Sequence, residues 1–114
     1  MPSISTTHIS TAEVRKLLQM EEGHFVDLKS TQISPAKLTK AIAAFANAEG
    51  GELFIGVEDS PRKWAGFENE EAGNGHLQAF EVLFPLGAEY EYHFLAAKGE
   101  NGLVLKVSSQ KPGR

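Results

Sequence analysis

Residues 44–59, AFANAEGGELFIGVED, decide how this chain folds. The segment opens as the end of a helix, because Leu38, Ala41, Ile42, Phe45 and Ala46 recur at helical spacing. Ser34-Pro35 supplies the start of that helix, a capping side chain followed by proline at the first helical position. Asn47, Gly50 and Gly51 then form a structural crossing in which the glycines stop the helix, since glycine tolerates the left-handed turn that closes such ends. Glu52 to Val57, with Gly56 inside it, is a nearly continuous apolar run and reads as a central strand buried on both faces. The stretch ends on two carboxylates, Glu58 and Asp59.

On the N-terminal side, residues 1–9 read as a flexible arm. Ser10-Thr11-Ala12-Glu13 fits a capping box, and Val14, Leu17 and Leu18 give the apolar stripe of a short helix to about Met20. Glu21-Glu22-Gly23 breaks it. The segment from His24 to Lys29 then alternates in the manner of a strand, with Val26 and Leu28 on one side and Phe25, Asp27 and Lys29 on the other.

Towards the C-terminus, Ser60 to Lys63 reads as a turn and Trp64 to Phe67 as a short returning strand. Glu68 to Gly75 is expected to be a loop, and Leu77, Phe80, Val82 and Leu83 a short helix before Pro85. Ala88–Ala97 and Leu103–Ser108 make a final hairpin. The order predicts a single α+β domain over 10–108, a mixed sheet with two to three packed helices. Residues 109–114 read as a tail leading to a further region of a longer protein.

The totals bound the functions open to such a domain. The chain has 114 residues, enough for one domain with an ordinary hydrophobic core. It has no cysteine, which removes disulfides and thiolate metal sites and agrees with a reducing, cytoplasmic setting. No apolar run approaches the ~20 residues that span a bilayer, so a membrane partner is not expected. Eleven basic and fifteen acidic residues give a net charge of −4, which counts against strong non-specific binding of nucleic acid. A local basic face remains open, drawn from Lys29, Lys37, Lys40, Arg62 and Lys63.

Among residues that carry chemistry, Glu22, Asp27, Lys29 and Asp59 form one constellation. Asp27 and Lys29 share a strand side about 7 Å apart, the pairing with which a carboxylate holds a divalent cation and a lysine steadies charge on phosphorus. Glu22 and Asp59 would add oxygen ligands from the mouth of that strand and the end of the next. The plainer alternative is an exposed Asp27–Lys29 ion pair worth under ~1 kcal/mol, with Asp59 starting a turn. A Walker-type ATP site is excluded, because the glycines follow a helix end and no Lys-Ser/Thr stands behind them. His8, His24, His76 and His93 show no metal-ligand spacing and read as surface or packing residues.

The block AFANAEGGELFIGVED resembles the signature of the Schlafen AlbA-like domain family, also catalogued among divergent AAA-type proteins. Glu22, four residues, then Asp27-Leu28-Lys29 resembles its upstream mark, with Asp for Glu and Leu for Phe. Trp64-Ala65-Gly66 resembles the step after its turn, and Leu103–Val107 with Ser108, Ser109 and Pro112 its last strand and exit. The resemblance implies a nucleic-acid-interacting domain, for DNA or RNA, that in bacteria commonly opens longer transcriptional regulators. Vertebrate relatives cut transfer and ribosomal RNA with three metal-binding carboxylates, which carry over to Glu22, Asp27 and Asp59. Asp27 for Glu moves the carboxylate oxygens by about 1.5 Å, one carbon–carbon step.

Three expectations follow. The first is a nucleic-acid-interacting domain of a bacterial transcriptional regulator. The second is an endoribonuclease with Mg²⁺ or Mn²⁺ on Glu22, Asp27 and Asp59 and Lys29 as the catalytic charge stabiliser. The third is a homodimerisation module using the Glu89–Val107 hairpin as an exposed edge for strand addition.

Overall fold

The computed structural model describes residues 6–22, 26–34, 36–37, 40, 50–59, 61–83 and 90–110. In chain order these include β1 (Thr6–Ile9), α1 (Thr11–Leu18), β2 (Val26–Lys29), β3 (Gly50–Ile55), β4 (Val57–Asp59) and β5 (Arg62–Trp64). A short 3₁₀ turn at Glu71–Gly73 leads into α2 (Asn74–Leu83), and β6 (Tyr90–Ala97) and β7 (Val104–Gln110) complete them. The domain is α+β with a mixed sheet, as the element pattern predicts. Five strands lie in the order β1-β6-β7-β3-β2, and β4 with β5 forms a separate hairpin. The β1–β6 and β2–β3 pairs are parallel, whereas β3–β7 and β6–β7 are antiparallel.

β3 is buried on both faces, as its continuous apolar run requires. Leu53 and Ile55 belong to a core with Phe67, Leu77, Phe94, Leu105 and Val107, which α2 closes on one side of the sheet. Phe54 points the other way, into a second core with Val14 and Leu17 of α1, Leu28, Val57, Trp64, Leu95 and Val104. Burying such side chains contributes about 1.5–3 kcal/mol each. α1 starts as its sequence dictates: Ser10 accepts from the Glu13 N–H, and Glu13 reaches back to the Ser10 N–H.

The apolar run is not one strand, however. It breaks at Gly56, whose φ of +122° only glycine adopts without strain. A Cβ there would lie 2.9 Å from the Gly66 Cα, so the two glycines let β4 and the chain after β5 pass backbone to backbone. Gly50 and Gly51, expected as the helix stop, instead open β3 in register with Gln110 and Ser109. Asn47 lies outside the described residues, as do His24, Phe25 and residues 41–49. The beginning of the intervening helix is visible, with Ala36, Lys37 and Lys40 helical and the Ser34 hydroxyl accepting from the Lys37 N–H.

Three further expectations are corrected. Thr6–Ile9 is not part of a loose arm but an edge strand, paired with Phe94–Ala97 and tied by the Thr6 hydroxyl to Glu70 at 2.6 Å. The returning strand begins at Arg62 rather than Trp64, with Arg62 in register with Asp59 of β4. The β6–β7 hairpin is not the free edge expected: among the described residues β1 pairs with Phe94–Ala97 of β6 and β3 covers β7, so the outer strands of the sheet are β1 and β2. Among the described residues no helix is long and apolar enough to cross a membrane.

Gly56→Ala should lower the unfolding free energy in urea by about 2–4 kcal/mol, from the forced φ and the contact with Gly66 together. Gly75→Ala should do the reverse. A Cβ at this residue near the start of α2 meets nothing within 4 Å, so helix propensity should raise stability by about 0.5–1 kcal/mol.

Candidate functional site

The break at Gly56 also builds the site. Its N–H donates to the Lys29 carbonyl at 2.7 Å, which brings the chain across the end of β2 and starts β4 there. Beyond it, Ser30 donates its hydroxyl to the Glu58 carboxylate at 2.9 Å and accepts the Gln32 N–H at 3.1 Å. Neither Ser30 nor Glu58 stands out in the sequence, where Glu58 is one of two adjacent acids and Ser30 one polar residue of a loop.

Three of the four residues singled out for chemistry meet at the β2 edge. Asp27 and Lys29 are half-buried and form an ion pair at 3.3 Å, on the opposite side of the strand from buried Leu28. Glu22 folds over the outer edge, accepting the Leu28 N–H at 3.1 Å while hydrogen-bonding the Asp27 carboxyl. That acceptor satisfies a donor that an edge strand otherwise leaves open. Asp59 is placed by its backbone in β4, opposite Arg62, and its side chain lies outside those described. Among the described residues no three acidic or histidine side chains gather in a metal-holding cluster.

The acid pair is electrostatically loaded. The Glu22 carboxyl titrates above its ordinary value of 4.5, first because it shares a hydrogen bond with Asp27, then because burial disfavours its charge. The Leu28 N–H opposes the shift, the Asp27 charge adds to it, and the Lys29 charge reduces it. The cluster thus sets two carboxyls beside one ammonium.

The basic residues separate into different roles. Lys37, Lys40 and Lys63 are exposed, Lys63 in register with Glu58. Arg62 is half-buried, and its guanidinium donates to the Met20 carbonyl at 2.8 Å and the Leu18 carbonyl at 3.4 Å, closing the end of α1. His76 packs on Phe67 and bonds the Ile33 carbonyl at 2.9 Å, a packing role. Two open grooves lie elsewhere, one of about 540 Å³ lined by Glu68, Glu70, Glu71 and Glu100, the other of about 500 Å³ between α1 and the sheet. Neither is lined by Glu22, Asp27 or Lys29, which lie at the outer strand β2 of the sheet.

The Glu22 shift fixes a sign. A carboxyl raised on folding contributes stability that is fully present below pH 4.5 and is lost as pH rises through its folded value. Carboxyl ¹³C titration should show Asp27→Asn returning Glu22 towards 4.5, and Lys29→Met raising it further. Movement of both variants in one direction would contradict this assignment of causes.

The family model described as Schlafen, AlbA_2 matches residues 22–114, which include β2 with its acid pair, the Gly56 break and the closing β6–β7 hairpin. The chain belongs to the Schlafen AlbA_2 domain family.

Proposed function

We propose that this is a nucleic-acid-interacting domain, binding DNA or RNA as part of a bacterial transcriptional regulator, with the β2 edge as its contact surface. Family membership supports a nucleic-acid-related role. The observation that supports the choice of surface is Lys29, held beside Asp27 at the sheet edge, with the exposed Lys37 and Lys40 further along the sequence. A sheet edge with a fixed cation suits a polymer backbone, which needs phosphate contacts along a surface rather than enclosure. The overall charge of −4 makes the contact local and strongly salt-dependent.

A second reading, a metal-dependent endoribonuclease, is favoured by the meeting of Glu22, Asp27 and Lys29. Glu22 and Asp27 would hold Mg²⁺ or Mn²⁺, with Asp59 as the proposed third ligand. Such a cation supplies Lewis-acid polarisation of a phosphoryl oxygen. Lys29 would steady the negative charge that develops there, and Asp27 would fix the ammonium in place.

Affinity for a short single-stranded RNA should fall steeply with salt. Lys37→Ala with Lys40→Ala should flatten the slope of log affinity against log salt by roughly 1.4, two contacts at about 0.7 each on a single strand. A salt-independent affinity would rule out phosphate contact. With Mn²⁺ present, Asp27→Ala and Asp59→Ala should each reduce RNA cleavage by about 100-fold or more, as should Lys29→Ala. Cleavage by both carboxylate variants at the wild-type rate would end the nuclease reading.

A further inference from the structure

The segment after β2 and the β4–β5 hairpin are held together by one side-chain bond, and that bond lies next to the cluster. We propose that Ser30 and Glu58 are positioning residues: a clamp that sets how far the Asp59-bearing hairpin stands from Asp27 and Lys29. The proposal rests on the reading that Asp59 works with the β2 acids.

The geometry is specific. Ser30 immediately follows Lys29, and its hydroxyl is engaged twice, donating to Glu58 at 2.9 Å and accepting from the Gln32 N–H at 3.1 Å. The second bond holds the side chain in a local turn, also closed by the Ile33 N–H to the Ser30 carbonyl at 3.2 Å, so Ser30 is a fixed donor rather than a free hydroxyl. Glu58 is half-buried in the middle of β4, between Val57 and Asp59. A residue clamped there constrains both neighbours, because adjacent strand residues share one stiff backbone.

Among the described residues, two backbone bonds also tie this junction at short range, while the Arg62 guanidinium anchors β5 to the carbonyls that end α1. The Gly56 N–H reaches the Lys29 carbonyl at 2.7 Å, and the Ala65 N–H reaches the Gly56 carbonyl at 2.7 Å. Both lie at the root of the hairpin. Glu58 lies further out, so its bond to Ser30 resists rotation of the hairpin about that root. A three-residue β4 opposed by a three-residue β5 is too short to hold its own orientation. A single hydrogen bond to a charged acceptor is strong enough to matter on such an element.

A carboxylate this near the cluster could instead act directly, as an additional metal ligand. The two roles make different demands: a clamp needs only an acceptor oxygen, which glutamine retains, whereas a ligand needs the charge.

The test compares Ser30→Ala, Glu58→Ala, Glu58→Gln and Ser30→Thr by amide hydrogen exchange at Gly56 and Ala65 and by Mn²⁺ titration followed by electron paramagnetic resonance. The clamp predicts exchange about five- to tenfold faster in both alanine variants, the loss of one bond expressed as an opening equilibrium. It predicts Mn²⁺ affinity weakened by a similar factor in the same two. Glu58→Gln and Ser30→Thr should stay within about twofold of wild type in both measurements. Exchange unchanged in Ser30→Ala would overturn the clamp. So would Glu58→Gln weakening Mn²⁺ as much as Glu58→Ala while exchange stays normal, because Glu58 would then act through its charge. A wild-type protein that takes up no Mn²⁺ would defeat the metal reading alone, and exchange would still decide the clamp.

Discussion

A single backbone hydrogen bond, from Gly56 N–H to the Lys29 carbonyl, joins the fold to its site. β3 is buried on both faces and leaves the sheet after Ile55, where β2 beside it ends at Lys29 in the same register. Only a residue free to take φ +122° makes that exit while keeping its N–H on the neighbouring strand. Glycine at position 66 allows the returning chain to pass close enough to complete it. The outcome is a hairpin bearing Glu58 and Asp59 set across the end of a strand that carries an acid and a lysine.

This arrangement sets the candidate site at an edge of the sheet. β2 is an outer strand, and outer strands are usually blunted to prevent unwanted pairing. Glu22 does that by taking the Leu28 N–H, and the same carboxyl is drawn against Asp27. One side chain thus protects the sheet and loads the site with charge. The cost is a crowded pair of acids, moderated by Lys29 and relieved by anything cationic that binds between them.

Much of this was legible in the chain before any coordinates. The Ser10–Glu13 capping box, the alternation that sends Leu28 inward and Asp27 and Lys29 outward, and the two-faced burial of β3 all follow from local pattern. What was not legible depends on long-range pairing. Thr6–Ile9 has no strong strand signal and becomes a strand because β6 offers it an edge. Gly56 looks like one residue of an apolar run, and its role emerges only where Gly66 crosses it. Arg62 reads as a phosphate-binding cation, yet it is engaged with the carbonyls that end α1. Ser30 and Glu58 are separated by the whole intervening helix and strand, so no short-range spacing links them.

Contact between the β2 edge and nucleic acid is tested most directly by backbone amide shifts of ¹⁵N-labelled protein titrated with a short single-stranded RNA at low salt. Dose-dependent shifts should concentrate at Glu22, Asp27–Ser30, Lys37 and Lys40 and collapse as salt is raised. Shifts confined to the α1 groove or to β1, or none at saturating RNA, would contradict it.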